Sequence, residues 1–352
     1  MAELEEIMVR PGGLGKAEIA NLCDPQIETT KEGMVKIPNS TITLDRTSDW
    51  RKSLGFVLVF LYLETNKQVS NFALSRSNNG IYPVPSSLLV VLVEIFKLFL
   101  IYIWGKVSGT QMEAWNPSVR FSLPAVCYFL TNLMYLGALT IVSPPIWMVL
   151  IQTRTLYTAA AYKIVFGREV TSVQALGCFL VVCSVGVARY SAFRDGQTSV
   201  SVAVLFVSQL AAILSTVASI CVELLLKNDG RSFCEQQFWL YVWGTFLGSL
   251  FMILKENIPQ LIVDIQEVVG HWHQLSLLCL SITTTSFAGL CIPVVVRNLD
   301  TIVKDYLGAA NNLLLSVVIA AVFPTEFTIS WMYVFSLIIL MTGIWLYEKK
   351  AH

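Results

Sequence analysis

Charged residues are scarce in this chain. Only 14% of its 352 residues are Asp, Glu, Lys or Arg, whereas 55% are hydrophobic. Soluble domains carry about 25% charged residues, so the composition argues against a soluble globular protein. The charges also sum to zero, which gives no electrostatic reason to expect a nucleic-acid partner.

Patterns that carry catalysis or metal binding are missing as well. The eight cysteines include no CxxC pair and lie mostly within apolar runs, so we interpret them as small core residues. The three histidines form no HExxH motif, and the apolar segments hold no aspartate pair and no GxSxG serine. We therefore expect no catalytic residue, no metal and no cofactor, and an intramembrane enzyme is the weakest alternative.

Long apolar segments are what the sequence does contain. A membrane-spanning helix needs about 20 predominantly apolar residues. Ten segments fit this length, and the first is the weakest because polar residues interrupt it. The prediction is an all-α polytopic membrane protein with about ten transmembrane helices, at 54–74, 86–105, 119–140, 143–165, 172–190, 200–226, 236–255, 272–296, 300–323 and 329–347.

The polar ends of the chain complete the predicted organisation. Residues 1–50 are polar with mixed charge and no early apolar run, which predicts a disordered cytosolic tail rather than a signal peptide. The helical domain is expected at 51–348, followed by a short tail at 349–352. Most lysines and arginines fall in loops on the side of the N-terminus, so both termini should face the cytosol.

A repeat with an offset of 157 residues links the two halves of the domain. It places Phe166 on Phe323 and Glu169 on Glu326, in equivalent turns between apolar helices. The halves are then about 51–190 and 198–348, with five helices each. Because five is odd, the second half must cross the membrane upside down. Inverted repeats are typical of carriers that work by alternating access around a site near the midplane.

Several ionisable residues fall inside the predicted spans, where each costs about 2.5–3.5 kcal/mol on insertion scales. Three acidic residues lie three or four positions before a lysine, a spacing at which the two side chains can form an ion pair. We expect these pairs to have structural or gating roles: Glu64 with Lys67, Glu94 with Lys97, and Glu223 with Lys227.

Other cations are candidates for binding an anion. Arg154 lies within the fourth predicted span and has no acidic residue one turn away along that helix. Arg297 and Lys304 flank Asp300 at the start of the ninth span, where the aspartate can cap the helix. Arginine can grip phosphate in a bidentate manner. The alternative for the second group is an ordinary basic cytosolic loop.

Four segments in this order resemble the nucleotide-sugar transporter family, and most closely the branch for CMP-sialic acid, UDP-galactose and UDP-N-acetylglucosamine. They are Val93–Lys97, Pro124–Tyr190 with Gln152-Thr153-Arg154, Val222–Lys227, and Val294–Lys304. The resemblance covers about residues 54–347. It implies ten helices and exchange of a cytosolic nucleotide sugar for a luminal nucleoside monophosphate.

The resemblance also implies roles for individual residues. Arg154 and Arg297 stand where the family has phosphate-facing lysines, while four further residues stand at positions that line the nucleotide site: Asn132, Ser215, Gln237 and Tyr241. Trp147, like Tyr241, offers an aromatic face on which a base can stack, although the family has a Tyr-Gln pair where this chain has Trp147-Met148. Such departures concern base recognition.

The expected function is thus nucleotide-sugar transport for glycosylation, with a UDP-sugar favoured and a CMP-sugar also compatible. A carrier of another small metabolite and a transport-inactive scaffold are the alternatives. The C-terminal Lys349-Lys350-Ala351-His352 resembles a dilysine retrieval signal, so we expect the Golgi or endoplasmic reticulum membrane. Besides its two substrates, the expected partner is the lipid bilayer, and a homodimer is left open.

Overall fold

The computed structural model describes residues 50–109, 118–166, 171–194, 201–298 and 301–348, so the tails at 1–49 and 349–352 lie outside it. All regular structure in these ranges is helical, which confirms the all-α prediction. A short 3₁₀ turn, Val119–Phe121, precedes α3. The helices are α1 Trp50–Arg76, α2 Ser86–Val107, α3 Ser122–Leu139, α4 Pro144–Ile151, α5 Arg154–Phe166, α6 Ser172–Arg194, α7 Val202–Asn228, α8 Phe233–Lys255, α9 Ile258–Gly270, α10 Trp272–Asn298, α11 Thr301–Val322 and α12 Trp331–Glu348.

Local sequence signals explain where several helices begin. Pro85 immediately precedes α2, and Pro144 and Pro145 form the first turn of α4, where the missing N–H costs nothing. The hydroxyl of Ser232 caps α8 by accepting a hydrogen bond from the N–H of Glu235 at 3.3 Å. These boundaries agree closely with the predicted segments.

The described helices include a membrane-spanning set. Five are long and apolar enough to cross a bilayer, namely Ser86–Val107, Val119–Leu139, Val202–Leu226, Phe233–Lys255 and Trp272–Val294. Shorter apolar stretches occur in α6, α11 and α12. The chain is therefore a multi-pass membrane protein, although fewer helices meet this criterion than the ten predicted spans. α1 is not in the set, because its polar run from Glu64 to Gln68 lowers its hydropathy.

One predicted span proves to be two helices. The segment 143–165 breaks after Ile151, and Gln152 and Thr153 form a buried turn before α5 begins at Arg154. The Thr153 hydroxyl donates to the carbonyl of Leu150 at 3.2 Å, a local bond that competes with helix continuation. Such a break at membrane depth is tolerated where protein surrounds it. The polar residues Gln152 to Thr155 stand at the break, but a polar run within an apolar span does not by itself distinguish a break from a continuous helix.

The helices pack in pairs. α6 makes its largest contact with α12, α2 with α8, α1 with α10, and α3 with α7. The α6–α12 crossing is the tightest, because a methyl group built on Gly177 would lie 2.5 Å from the carbonyl oxygen of Gly343. Small residues allow membrane helices to approach this closely.

We predict that Gly177→Ala destabilises the protein, because its new methyl group meets backbone atoms that cannot move aside. Overpacking of this kind costs about 1–3 kcal/mol. Gly186→Ala is the matched control, since Gly186 lies on the same helix and a methyl group there meets nothing within 4 Å. Thermal unfolding in detergent should show a lower Tm for Gly177→Ala alone. Equal Tm values for the two variants would contradict this packing.

Candidate functional site

A cavity with an empty volume of about 650 Å³ lies among α1, α2, α3, α8 and α10. Its lining combines aromatic, small and ionisable residues: Lys67, Glu94, Lys97, Ala125, Tyr128, Phe129, Asn132, Leu240, Tyr241, Gly244, Thr285, Gly289, Ile292 and Pro293. Of the predicted site and gating residues, it therefore brings together Lys67, Glu94, Lys97, Asn132 and Tyr241.

A second cavity, with an empty volume of about 310 Å³, continues the first. Lys67, Asn132 and Thr285 line both. The second cavity extends along α1 to Asn71, whose amide donates to Thr285 at 2.9 Å and whose carbonyl oxygen accepts from Ser281 at 2.7 Å. A polar seam between α1 and α10 thus runs beside the two cavities, with Lys67 and Asn132 at their junction.

The predicted ion pair on α2 is present in the cavity wall. The Lys97 ammonium donates to Glu94, and the two side chains are only 9% and 6% exposed. Methyl groups built on Gly244 and Gly289 would lie 3.1 Å from Glu94 Oε2 and from Lys97 Cδ. These glycines of α8 and α10 therefore make room for the pair between three helices.

The predicted pair on α1 is also present. Lys67 Nζ lies 2.7 Å from Glu64 Oε1, and Gln68 donates to the same oxygen at 3.2 Å. The Tyr135 hydroxyl then donates to Gln68 Oε1 at 2.6 Å, which links α1 to α3. Each acidic residue compensates its lysine one turn away, so burial of the charge is balanced within one helix. Their gating role stays a prediction.

Tyr241 contributes both a ring and a hydroxyl to the cavity. Its ring centroid lies 4.9 Å from the Lys97 ammonium, a cation–π distance. Its hydroxyl is buried and has no hydrogen-bond partner among the described residues, and the side-chain carbonyl of Gln237, one turn earlier, has none either. Buried polar groups are normally satisfied. Tyr241 lines the cavity and its hydroxyl can serve a bound molecule, whereas the predicted site residue Gln237 lines neither cavity.

Arg154 is half-buried at the start of α5 and lines neither cavity. Its Nη2 packs against α11, only 2.5 Å from a methyl group built on Gly308. The sequence placed no acid one turn away along the same helix, but the fold brings Glu64 of α1 within electrostatic range. Tyr128 is also in range. Arg154 therefore lies close to the part of the cavity wall formed by Tyr128.

Other predicted site residues lie away from the cavities. Trp147 is 1% exposed in the main hydrophobic core, and Ser215 is buried on α7. Glu223 accepts a hydrogen bond from the Tyr162 hydroxyl at 2.6 Å. The side chain of Lys227, its expected partner, is outside the described residues. The roles predicted for these residues are not tested by this placement.

The basic cluster at the junction of α10 and α11 also falls outside what the structure describes. The backbone of Arg297 belongs to the last turn of α10, four residues beyond Pro293 of the cavity lining. Lys304 belongs to the first turn of α11. The side chains of both residues, and Asp300 as a whole, are among the residues not described, so their phosphate-binding role stays a prediction.

Sequence reasoning missed most of the cavity lining, including Tyr128, Thr285, Gly244 and Gly289. The two glycines are the ones with a detectable signal, since glycine within a spanning helix often marks a close approach. Tyr128 and Thr285 resemble many other polar residues of the spans, and only the long-range packing selects them.

Comparison with known proteins agrees with this architecture. The sequence profile of the family described as nucleotide-sugar transporters matches residues 56–348. CMP-sialic acid transporter 4 of Arabidopsis thaliana is 24% identical over 257 residues, which cover 71% of each chain. CMP-sialic acid transporter 1 of the same plant is 22% identical and covers 84% of this chain and 90% of its own.

A solved structure supports the fold alone. A crystal structure described only as that of a protein matches with a TM-score of 0.58 at 13% identity, covering 85% of this chain and 97% of its own. The family profile spans most of the chain and includes every helix that borders the cavity. The chain belongs to the nucleotide-sugar transporter family.

Proposed function

We propose that this protein exchanges a cytosolic nucleotide sugar for a luminal nucleoside monophosphate by alternating access. The observation that carries the proposal is the cavity in which Lys67 and Lys97, each compensated by its own acid, face Asn132 and Tyr241. The cations suit a phosphate, while the amide and the ring suit a base or a sugar. Membership of the family supplies the substrate class.

The ion pairs provide a reason for exchange rather than one-way release. Without substrate, Glu94 and Glu64 neutralise the two lysines at about 3 Å or less. A phosphate that enters competes for the ammonium groups, and a second phosphate on the return journey restores the same balance. Arg154, close to the Tyr128 wall, and Arg297 at the end of α10 are further proposed phosphate contacts.

Uncharged groups are the proposed readers of the base and sugar. Tyr241 and Asn132 line the cavity, and the free carbonyl of Gln237 is one turn from Tyr241. Specificity is a difference in affinity between substrates, so these groups decide which nucleotide is carried. The similar plant proteins are named for CMP-sialic acid. The expected preference for a UDP-sugar has no support from them, and a CMP-sugar is the first substrate to test.

The helix contacts support the proposed inverted repeat. If α1, α2 and α3 are exchanged for α7, α8 and α10, the α1–α10 contact becomes α7–α3, and the α2–α10 contact becomes α8–α3. The structure contains all four of these contacts. It also contains the α2–α8 and α6–α12 contacts, each of which joins a helix to its equivalent in the other half. The two halves are thus built to rock against each other around the cavity.

One end of the bundle is closed by contacts between the halves. Arg76 at the end of α1 lies 3.2 Å from Glu326 in the turn before α12. Beside them, the Phe72 and Phe323 rings pack edge to face at 5.1 Å. With both termini in the cytosol of a Golgi or endoplasmic reticulum membrane, this end faces the lumen, so we infer a carrier closed on the luminal side.

We predict counter-exchange in proteoliposomes. Vesicles preloaded with CMP should take up labelled CMP-sialic acid faster than empty vesicles, and UMP or GMP with UDP- or GDP-sugars tests the other nucleotides. If no monophosphate supports uptake of any nucleotide sugar, the proposed exchange is wrong. A purified protein that folds but neither binds nor transports nucleotides would favour the scaffold alternative, and uptake unaffected by nucleotides would favour another metabolite.

We predict that the double variant Glu94→Gln/Lys97→Met folds but loses transport. Both charges are removed together, so neither is left buried alone. Loss of a charged hydrogen bond of about 1.5–3 kcal/mol corresponds to about 10- to 100-fold weaker substrate binding. Lys255→Met is the matched control, because Lys255 is 56% exposed and remote from the cavity lining. Normal uptake by the double variant would remove the pair from the site.

We also predict that Arg76→Gln weakens luminal closure. Because the Arg76 and Glu326 side chains are 23% and 37% exposed, the pair is worth about 0.2–1 kcal/mol. The apparent affinity for cytosolic substrate should therefore fall about 1.4- to 5-fold. The charge swap Arg76→Glu/Glu326→Arg should restore it. Lys255→Gln is the control, because it breaks the ion pair between Lys255 and its neighbour Glu256 at the end of α8. Failure of the swap to restore affinity would contradict the proposed closure.

A further inference from the structure

α9 is too short to cross the membrane. Its 13 residues reach about 20 Å, against a hydrocarbon core of about 30 Å. It connects α8 to α10 at the end of the bundle where α2 begins. The Ser87 hydroxyl at the start of α2 donates to Glu256, two residues before α9, at 2.8 Å. The ten predicted spans place residues 256–271 in a connection, where the structure has a helix.

Two buried residues on one edge of α9 determine how the helix is rotated about its own axis. Leu261 and Val268, seven residues apart, are 7% and 2% exposed and join the main hydrophobic core. The polar edge lies next to the buried one, and Gln260 there donates to Asp264 at 2.9 Å, with Glu267 one turn further on. With these two edges set, the rest of the helix surface has a defined direction.

On the other side of the buried edge, facing away from the polar one, runs an apolar stripe that nothing in the described protein covers. Its four members are spaced at i, i+4, i+7 and i+11, so they share one helix face. They are 42%, 52%, 38% and 59% exposed, respectively: Ile258, Ile262, Ile265 and Val269. Below we call these four residues the α9 stripe.

Neighbouring elements continue the apolar surface. The last two turns of α8, a helix long and apolar enough to span the membrane, expose Leu250, Ile253 and Leu254. Trp272, immediately after α9, is also largely exposed, and tryptophan is enriched at membrane–water interfaces. The α9 stripe therefore adjoins the surface that a spanning helix presents to lipid.

We propose that α9 is an interfacial helix that seats the α9 stripe at the boundary of headgroups and acyl chains, on the luminal side. Asp264 and Glu267 then face water. The partner is the hydrocarbon of the bilayer itself, because the stripe is wholly apolar and the charged residues of α9, Asp264 and Glu267, are acidic and offer no attraction to anionic headgroups. This assignment rests on the membrane-spanning set and not on which nucleotide sugar is carried.

Labelling of introduced cysteines tests the proposal. Full-length Ile262→Cys and Asp264→Cys proteins are placed in phosphatidylcholine nanodiscs at one copy per disc and treated with a membrane-impermeant maleimide. Mass spectrometry of the α9 peptide separates this labelling from that of the native cysteines. Because a thiol in the acyl boundary is shielded from the reagent, Ile262→Cys should react at least about 10-fold more slowly than Asp264→Cys.

Two results would overturn the proposal. Equal labelling of the two positions in single-copy discs would place the α9 stripe in water. Protection of Ile262→Cys that appears only in discs holding two copies would assign the stripe to a second copy of the chain. Thermal unfolding of both variants checks that each retains the fold, and addition of anionic lipid should not increase the protection.

Discussion

The need to compensate charge inside a membrane governs this structure. An intramembrane lysine is costly, and this chain compensates two of them locally: an acidic residue lies three positions before Lys67, which is partly buried, and before Lys97, which is buried. The surrounding helices then fit those pairs: Gly244 and Gly289 leave space for one, and Gln68 and Tyr135 extend the other. The cavity lies between the helices that carry these residues, and Lys67 and Lys97 line it.

A compensated cation is a suitable device for a carrier of anions. A lysine without a partner would hold phosphate too firmly or fail to insert, whereas a paired lysine can change partners at small net cost. The contacts at the closed end of the bundle are also weak, because a partly exposed ion pair and one aromatic contact join the halves there. Contacts worth about 1 kcal/mol each can break and reform in every cycle.

The sequence predicted what local rules determine and missed what depends on long-range packing. Pairs at i, i+3 are local, so Glu64–Lys67 and Glu94–Lys97 were predictable. The break at Gln152 lies in a polar run, Gln152 to Thr155, which by itself does not distinguish a broken helix from a continuous one. The apolar stripe of α9 is too short to indicate a spanning helix. The position of the Trp147 ring in the core follows from long-range packing and has no local signature in the sequence. A cavity drawn from five helices has no local signature.

The most direct test of the account compares binding of CMP with binding of cytidine, by calorimetry on the purified protein. The two ligands differ only in the phosphate. If paired lysines of the cavity hold that phosphate, wild-type protein should bind CMP more tightly than cytidine, and Glu94→Gln/Lys97→Met should lose most of the difference while keeping its Tm. An unchanged preference for CMP in that variant would contradict the central claim.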